Sequence, residues 1–216
     1  MPYSRSNPSP RYQELQELNK FMHLYGSDQA PPEQMFSGST CLLYAPRIKE
    51  FLHTHPARSL LDYGSGKGVQ YGKLPTPFEE GGHKYYSLQE YWQLEAIACY
   101  DPCYAPFSQL PVTRNDLVIT TDMLEHCPEE DIPWVLEEIF SLSKKSVFAT
   151  AASYLAGKTL PNGENAHCTI KPTSWWEEIF TQVGHKFPLI SYKVCVEYAY
   201  PAPNQLKFES FERNVE

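Results

Sequence analysis

Short apolar runs alternate with amphipathic segments through most of this chain. The runs that predict buried strands cover residues 59–63, 96–100, 116–121 and 146–151. Apolar residues recur at helical spacing over residues 129–142 and 173–184. Because strands that alternate with helices pair in parallel, the pattern predicts an α/β fold with a doubly wound, mostly parallel sheet that carries helices on both faces.

The C-terminal part of the chain departs from this alternation. Residues 187–200 and 205–211 predict two strands, and the Pro-Ala-Pro-Asn segment between them predicts a turn. We therefore expect an antiparallel C-terminal hairpin that adds one reversed strand to the edge of the sheet. The helix before the hairpin is expected to be capped by Thr173 or Ser174.

The N-terminal part also lies outside the alternation. Residues 1–10 contain three prolines and predict a mobile arm. Residues 11–25 predict an amphipathic helix that ends at Gly26, and a later helix with Pro46 in its first turn leads into the first strand. We expect one domain, 1–216, in which residues 1–45 form the arm and a lid helix and residues 46–216 form a Rossmann-like core.

Composition narrows the range of partners. The 26 acidic residues outnumber the 18 basic ones, so a net charge of -8 disfavours binding to nucleic acid. No apolar run approaches the roughly 20 residues that cross a bilayer, and we expect no membrane partner. Six cysteines without a Cys-x-x-Cys pair, and no apolar N-terminal signal segment, predict free thiols in a cytoplasmic protein.

A glycine-rich turn follows the first predicted strand. Leu60-Leu61-Asp62-Tyr63 leads directly into Gly64-Ser65-Gly66-Lys67-Gly68. Glycines let a ligand lie against the main chain, and in open α/β sheets ligands bind beyond the carboxyl ends of the strands. A dinucleotide-binding turn would need glycine where Val69 stands, and a P-loop would need Ser or Thr directly after Lys67, so neither pattern fits.

The segment from Leu60 to Gly68 resembles the acidic-x-G-x-G-x-G motif of class I S-adenosylmethionine-dependent methyltransferases. Asp116-Leu117-Val118-Ile119, followed by Thr121-Asp122-Met123-Leu124-Glu125-His126, is similar to the fourth-strand segment of that family. The resemblance covers residues 60–152 well and continues more loosely to residue 211. It implies an enzyme that transfers a methyl group from S-adenosyl-L-methionine to an oxygen or nitrogen of a small-molecule substrate.

The resemblance also implies a set of cofactor-binding residues. They are Asp62, Gly64, Ser65, Gly66, Gly68, Asp101, Asp122 and Met123. Asp62 would hold the amino end of the methionine through the turn, and Asp101 would accept hydrogen bonds from the ribose hydroxyls. Only 14 residues separate Asp101 from Asp116, so the usual third strand is expected to be lost or vestigial.

Two histidines are candidate general bases for the reaction. His126 follows the strand at 116–121, and His167 lies in a polar loop that follows the strand at 146–151. Histidine titrates near neutral pH, so either side chain can take a proton from a hydroxyl or an amine. Each also has a structural interpretation, His126 as a helix-entry residue and His167 as part of a turn.

No metal site is expected from the sequence. Cys99 and Cys103 have no histidine at ligand spacing, and residues 150–153 lack the acidic pair that cation-dependent members of the family place after the fifth strand.

Three alternative functions stay open. Nucleic-acid methylation is disfavoured. Amino-methylating DNA enzymes resemble one another in an Asn/Asp-Pro-Pro-aromatic motif at this position, and this chain has Thr121-Asp122-Met123-Leu124 there instead. A catalytically inactive, methyltransferase-like binding module would keep the pocket without turnover. A hydride-transferring enzyme would instead bind NADH.

Overall fold

The computed structural model describes residues 3–199 and 207–215. Its N-terminal half contains α1 (Pro10–Tyr25), α2 (Cys41–Thr54), β1 (Ser59–Tyr63), β2 (Phe78–Glu80), β3 (His83–Tyr85) and α3 (Leu88–Trp92). Its C-terminal half contains β4 (Ala96–Tyr100), β5 (Asn115–Thr120), α4 (Ile132–Leu142), β6 (Ser143–Ala152), α5 (Thr173–Gly184), β7 (Ser191–Glu197) and β8 (Phe208–Arg213).

Six strands form one sheet in the order β4-β1-β5-β6-β7-β8, and β2 pairs with β3 in a separate two-stranded sheet. The first five strands of the large sheet are parallel, and β8 runs antiparallel to β7. This confirms the mostly parallel α/β sheet and its reversed edge strand; the predicted turn at 201–204 lies outside the described residues. The chain runs from β1 to β4 on one side and then to β5 on the other, so strand order reverses at β1.

The usual third strand is lost, as the short spacing predicts. Residues 101–114, all of them described, hold one short 3₁₀ turn, Ala105–Phe107, and no strand. The segment between β1 and β4 contains the β2–β3 hairpin and α3. β4 is consequently the edge strand on this side, and it pairs directly with β1.

Helices cover both faces of the large sheet. Leu61 packs in a core cluster with Ile139 of α4 and Trp176 of α5. The neighbouring residue Leu60 belongs to a second cluster with Ile48 of α2, because successive strand residues point to opposite faces. The described part of the chain contains no helix long and apolar enough to span a membrane.

The predictions for two helix starts are wrong. Pro46 lies inside α2, which begins at Cys41, instead of in the first turn. The buried face of this helix, which includes Tyr44 and Ile48, compensates for the backbone hydrogen bond that proline cannot donate. Neither Thr173 nor Ser174 caps α5, because the helix already begins at Thr173 and Pro172 holds the cap position without a side-chain hydrogen bond from the described residues.

Residues 3–9 are packed against α4 and the residues that precede it, so the expectation of a mobile arm is wrong for this segment. The Arg5 guanidinium forms an ion pair with Glu138 of α4. Ser9 is buried, and its backbone N–H donates to Asp131 Oδ1 at 3.0 Å, while its hydroxyl bonds to the other carboxylate oxygen. These polar contacts join residues more than 100 positions apart in the sequence, so a pattern within either segment could not predict them.

Candidate functional site

A cavity of about 520 Å³ opens at the carboxyl edge of the sheet, where strand order reverses. Its volume lies in the roughly 300–1,000 Å³ range of small-molecule sites. Nine of the ten site residues predicted from the sequence line it: Asp62, Gly64, Ser65, Gly66, Asp101, Asp122, Met123, His126 and His167. The structure therefore brings residues at the ends of β1, β4 and β5 together with His167, from the loop after β6.

Backbone geometry and crowding explain the glycines of the turn after β1. Gly64 and Gly66 have φ values of +86° and +59°, in the left-handed region. A Cβ atom on Gly64 would lie 2.4 Å from Met123 Cγ, and one on Gly66 would lie 2.2 Å from the carbonyl oxygen of Phe36. The turn consequently requires glycine at both positions.

Gly68 is the one predicted site residue that lies outside the cavity. Its φ of +67° also requires the left-handed region, and a Cβ atom there would lie 2.9 Å from the ring of Phe107. Glycine is thus required at this position by the backbone conformation at the end of the turn and by close packing against Phe107, and contact with a ligand is not needed to explain it.

Asp62, in β1, presents a buried carboxylate with one free oxygen. Its Oδ2 accepts hydrogen bonds from Tyr71 Oη at 2.7 Å and Gln70 Nε2 at 3.0 Å. Its Oδ1 is buried and has no hydrogen-bond partner among the described residues. Burial raises the pKa of Asp62 to about 6, because desolvation outweighs the two hydrogen bonds that favour the charged form. A donor that enters the cavity can bond to Oδ1.

Asp101, which follows β4, connects the glycine turn to the next loop. Its Oδ2 accepts the Gly66 N–H at 3.0 Å, and its Oδ1 accepts the Cys103 N–H at 2.8 Å. Burial raises the pKa of Asp101, although these N–H groups oppose the shift. Each carboxylate oxygen keeps lone-pair capacity for a further donor.

The helix α1 forms one side of the cavity, beside Asp101. The sequence predicts a lid helix here, and the polar side chains of the helix that line the cavity, beside Tyr12 and Leu15, are Gln16, Asn19 and His23. His23 Nε2 lies 4.0 Å from Asp101 Oδ1, and burial lowers the pKa of His23 to about 4. Polar residues spaced by three and four positions on an otherwise amphipathic helix were the signal that could have identified them.

Asp122, His126 and His167 meet at the cavity and are named here the histidine-aspartate cluster. One potential ligand atom from each lies within 4.8 Å of the others. His126 Nδ1 lies 2.8 Å from the carbonyl oxygen of Ala166, and His167 Nδ1 lies 2.7 Å from that of Tyr154. Because a carbonyl only accepts, both Nδ1 atoms carry a proton and both Nε2 atoms keep a lone pair.

Burial shifts the pKa of two neighbouring residues at this cluster. It lowers the pKa of His126 to about 4, against the opposing effect of Asp122. It also raises the pKa of Glu125 well above its usual value. Both Glu125 oxygens are buried without a hydrogen-bond partner in the described chain.

Comparison with models of known protein families and with curated proteins finds no match to this chain. A fold of this kind hosts many unrelated activities, so it does not identify a function by itself. The function is therefore inferred from the cavity and its side chains.

Proposed function

We propose that the protein binds S-adenosylmethionine in this cavity and transfers its methyl group to an oxygen or nitrogen atom of a small molecule. The main support is that Asp62 and Asp101 line the same cavity, together with the glycine turn. They come from neighbouring strands, since Asp62 pairs with Cys99 in the parallel register of β1 and β4. One ligand can therefore contact both carboxylates.

The free polar atoms fit the two polar ends of this cofactor. Asp62 Oδ1, which is buried and unpartnered among the described residues, suits the ammonium group of the methionine part. Asp101 has lone pairs left for two ribose hydroxyls. The absence of side chains at Gly64 and Gly66 lets the linking atoms lie against the backbone.

When bound, S-adenosylmethionine supplies a methyl group on a positively charged sulfur. The sulfur–carbon bond breaks with its electron pair left on sulfur, a lone pair of the acceptor forms the new bond, and the acceptor loses a proton. Nε2 of His167 or His126 can take that proton, His126 less readily because burial lowers its pKa to about 4. The main contribution of the protein is alignment of donor and acceptor in a site bordered by α1.

Calorimetry with S-adenosylmethionine and S-adenosylhomocysteine tests the proposal. We expect Asp101→Ala to weaken binding about 10- to 100-fold, because hydrogen bonds to a charged group contribute roughly 1.5–3 kcal/mol. Asp116→Asn is the matched control, since Asp116 lies at the opposite end of the sheet and accepts the Arg58 N–H at 2.9 Å.

The control should bind like the unaltered protein, and thermal unfolding would verify that both variants are folded. Failure of the folded, unaltered protein to bind either compound would overturn the cofactor assignment. In that case NADH binding would favour hydride transfer, whereas cofactor binding without methylation of any candidate acceptor would favour a binding module.

A further inference from the structure

We propose that the histidine-aspartate cluster is a binding site for one divalent transition-metal ion of the zinc type. Two neutral imidazole nitrogens and one carboxylate oxygen form a ligand set that suits zinc, iron, cobalt or manganese better than magnesium or calcium. The proposal that the ion binds does not depend on S-adenosylmethionine. Its role in methyl transfer rests on the function proposed above.

The spacing of the three side chains is close to that of a metal site. Their potential ligand atoms lie within 4.8 Å of one another. Ligands about 2.1 Å from a tetrahedral zinc ion are roughly 3.4 Å apart. The ligand atoms would have to approach one another by up to about 1.4 Å on binding an ion, and the rings of His126 and His167 are 4.8 Å apart, centroid to centroid.

Hydrogen bonds around the cluster hold the histidines in the form that binds metal. Metal-ligating histidines usually donate their second ring N–H to a carbonyl or a carboxylate, which fixes the tautomer and the ring orientation. Both histidines here do so, through the bonds of Nδ1 to Ala166 and Tyr154. This leaves both Nε2 lone pairs for an ion.

The backbone of Asp122 is strained at this position. Its φ of +56° lies in the left-handed region, which is unusual for a residue with a side chain. Its N–H donates to Thr150 Oγ1 at 3.0 Å, which ties this conformation to the end of β6. Strain of this kind persists where the surrounding structure enforces it, and it concentrates at functional sites.

Lys158 opposes binding of a cation. It lines the same cavity, and its charge acts on His126. The Lys158 ammonium also lies 5.4 Å from the ring centre of Phe36, which offers the charge a partner other than the cluster. We therefore expect binding to be tight enough for stoichiometric loading at micromolar concentration but weaker than in a closed structural zinc site.

Three protein ligands leave at least one coordination position open, as in catalytic metal sites. The cluster lines the same cavity as the glycine turn. Met123, which lies between Asp122 and His126 in the sequence, packs against Gly64. The open position therefore adjoins the proposed cofactor site. A metal ion there would lower the pKa of a coordinated hydroxyl group and ease the loss of its proton to water, which narrows the substrate class to acceptors that carry a hydroxyl group.

The sequence predicts no metal site, because Cys99 and Cys103 have no histidine at ligand spacing and residues 150–153 hold no carboxylate. The structure provides a different set, in which His167 reaches the cluster from a loop that returns to the carboxyl edge of the sheet.

Titration of the chelator-treated full chain with Zn²⁺ and Co²⁺, without S-adenosylmethionine, tests the site. We expect one ion per chain, and a Co²⁺ absorption spectrum without the charge-transfer band that thiolate ligands cause. His167→Gln and Asp122→Asn should each weaken binding about 100-fold or more. His185→Gln, which alters an exposed histidine outside the cavity, should bind as the unaltered chain does.

The metal proposal would be overturned by the lack of stoichiometric binding to the folded chain, or by binding that is unchanged in both cluster variants. A thiolate band would also refute it, because cysteines would then be the ligands. Parallel calorimetry with S-adenosylhomocysteine separates the two proposals. Metal binding without cofactor binding would support the metal site and refute its role in methyl transfer. Cofactor binding without metal binding would refute the metal site alone.

Discussion

Replacing Asp62 with asparagine should remove a buried charge that lowers the free energy of unfolding at neutral pH. The pKa of Asp62 is about 6, against an ordinary value of 3.8, because its carboxylate is buried. The folded state therefore binds more protons than the unfolded state between about pH 4 and pH 6, and stability falls as pH rises through that interval. At about 1.4 kcal/mol per pH unit, this group alone lowers the free energy of unfolding by about 3 kcal/mol above pH 6.

Asparagine has the same shape but no charge to desolvate. Its carbonyl oxygen can still accept from Tyr71 and Gln70, which bond to Oδ2 of Asp62. Its amide N–H groups would occupy the place of the unpartnered Oδ1, where an unsatisfied buried donor costs roughly 1–3 kcal/mol. The absolute stability of Asp62→Asn thus combines two opposing effects, and its change with pH isolates the charge.

Urea unfolding of both proteins at intervals from about pH 4 to about pH 8 measures this change. The stability of Asp62→Asn relative to the unaltered protein should increase by about 3 kcal/mol over the range, mostly between pH 4 and pH 6. A difference that stays constant with pH would refute the idea that Asp62 is destabilised by its buried charge.

Asp116→Asn provides a control of opposite sign. Burial opposes ionisation of Asp116, but the Arg58 N–H and Lys145 outweigh it and lower the pKa of this carboxyl. Its ionised form therefore stabilises the folded state above the unfolded pKa, and that contribution is lost as pH falls through the folded pKa. Relative to the unaltered protein, Asp116→Asn should become less stable as pH rises toward the ordinary pKa of 3.8 and should change little above it, where the relative stability of Asp62→Asn still increases.

Two further substitutions test the turn and the N-terminal segment. Gly64→Ala should lower the thermal midpoint of unfolding more than Gly163→Ala does. Both glycines have φ near +85°, so the backbone strain is the same. The new Cβ atom clashes with Met123 at position 64, whereas at position 163 it meets no described atom within 4 Å. Equal losses would show that the clash is relieved at no cost. Arg5→Ala should lower the free energy of unfolding by about 1–3 kcal/mol, because Glu138 loses its ion pair, although it still accepts a hydrogen bond from the Tyr63 hydroxyl at 2.6 Å. A double-mutant cycle with Glu138→Gln should show coupling between the two; additive effects would contradict the contact.

Local pattern was sufficient for the central strands and the turn. β1 and β4 have the predicted bounds, because each is a short apolar run closed by residues that interrupt a strand. Parallel strands place their carboxyl ends at one edge, so the meeting of Asp62, Asp101 and Asp122 at one cavity also follows from the sequence.

Other features depend on contacts between distant parts of the chain. The packing of Arg5 on Glu138 joins residues 133 positions apart, and no periodicity within either segment indicates it. Pro46 stays inside α2 because a buried helix face outweighs a local preference to begin a helix at proline.

The sequence by itself determined the parallel sheet, its glycine turn and the edge at which polar residues collect, since these follow from spacing within short segments. Tertiary structure alone decided which side chains of α1 border the cavity and that His167 comes to lie beside His126 and Asp122. The physical reason is that loops and terminal helices take their positions from the surfaces they bury. Those surfaces exist only after the sheet and its covering helices have formed.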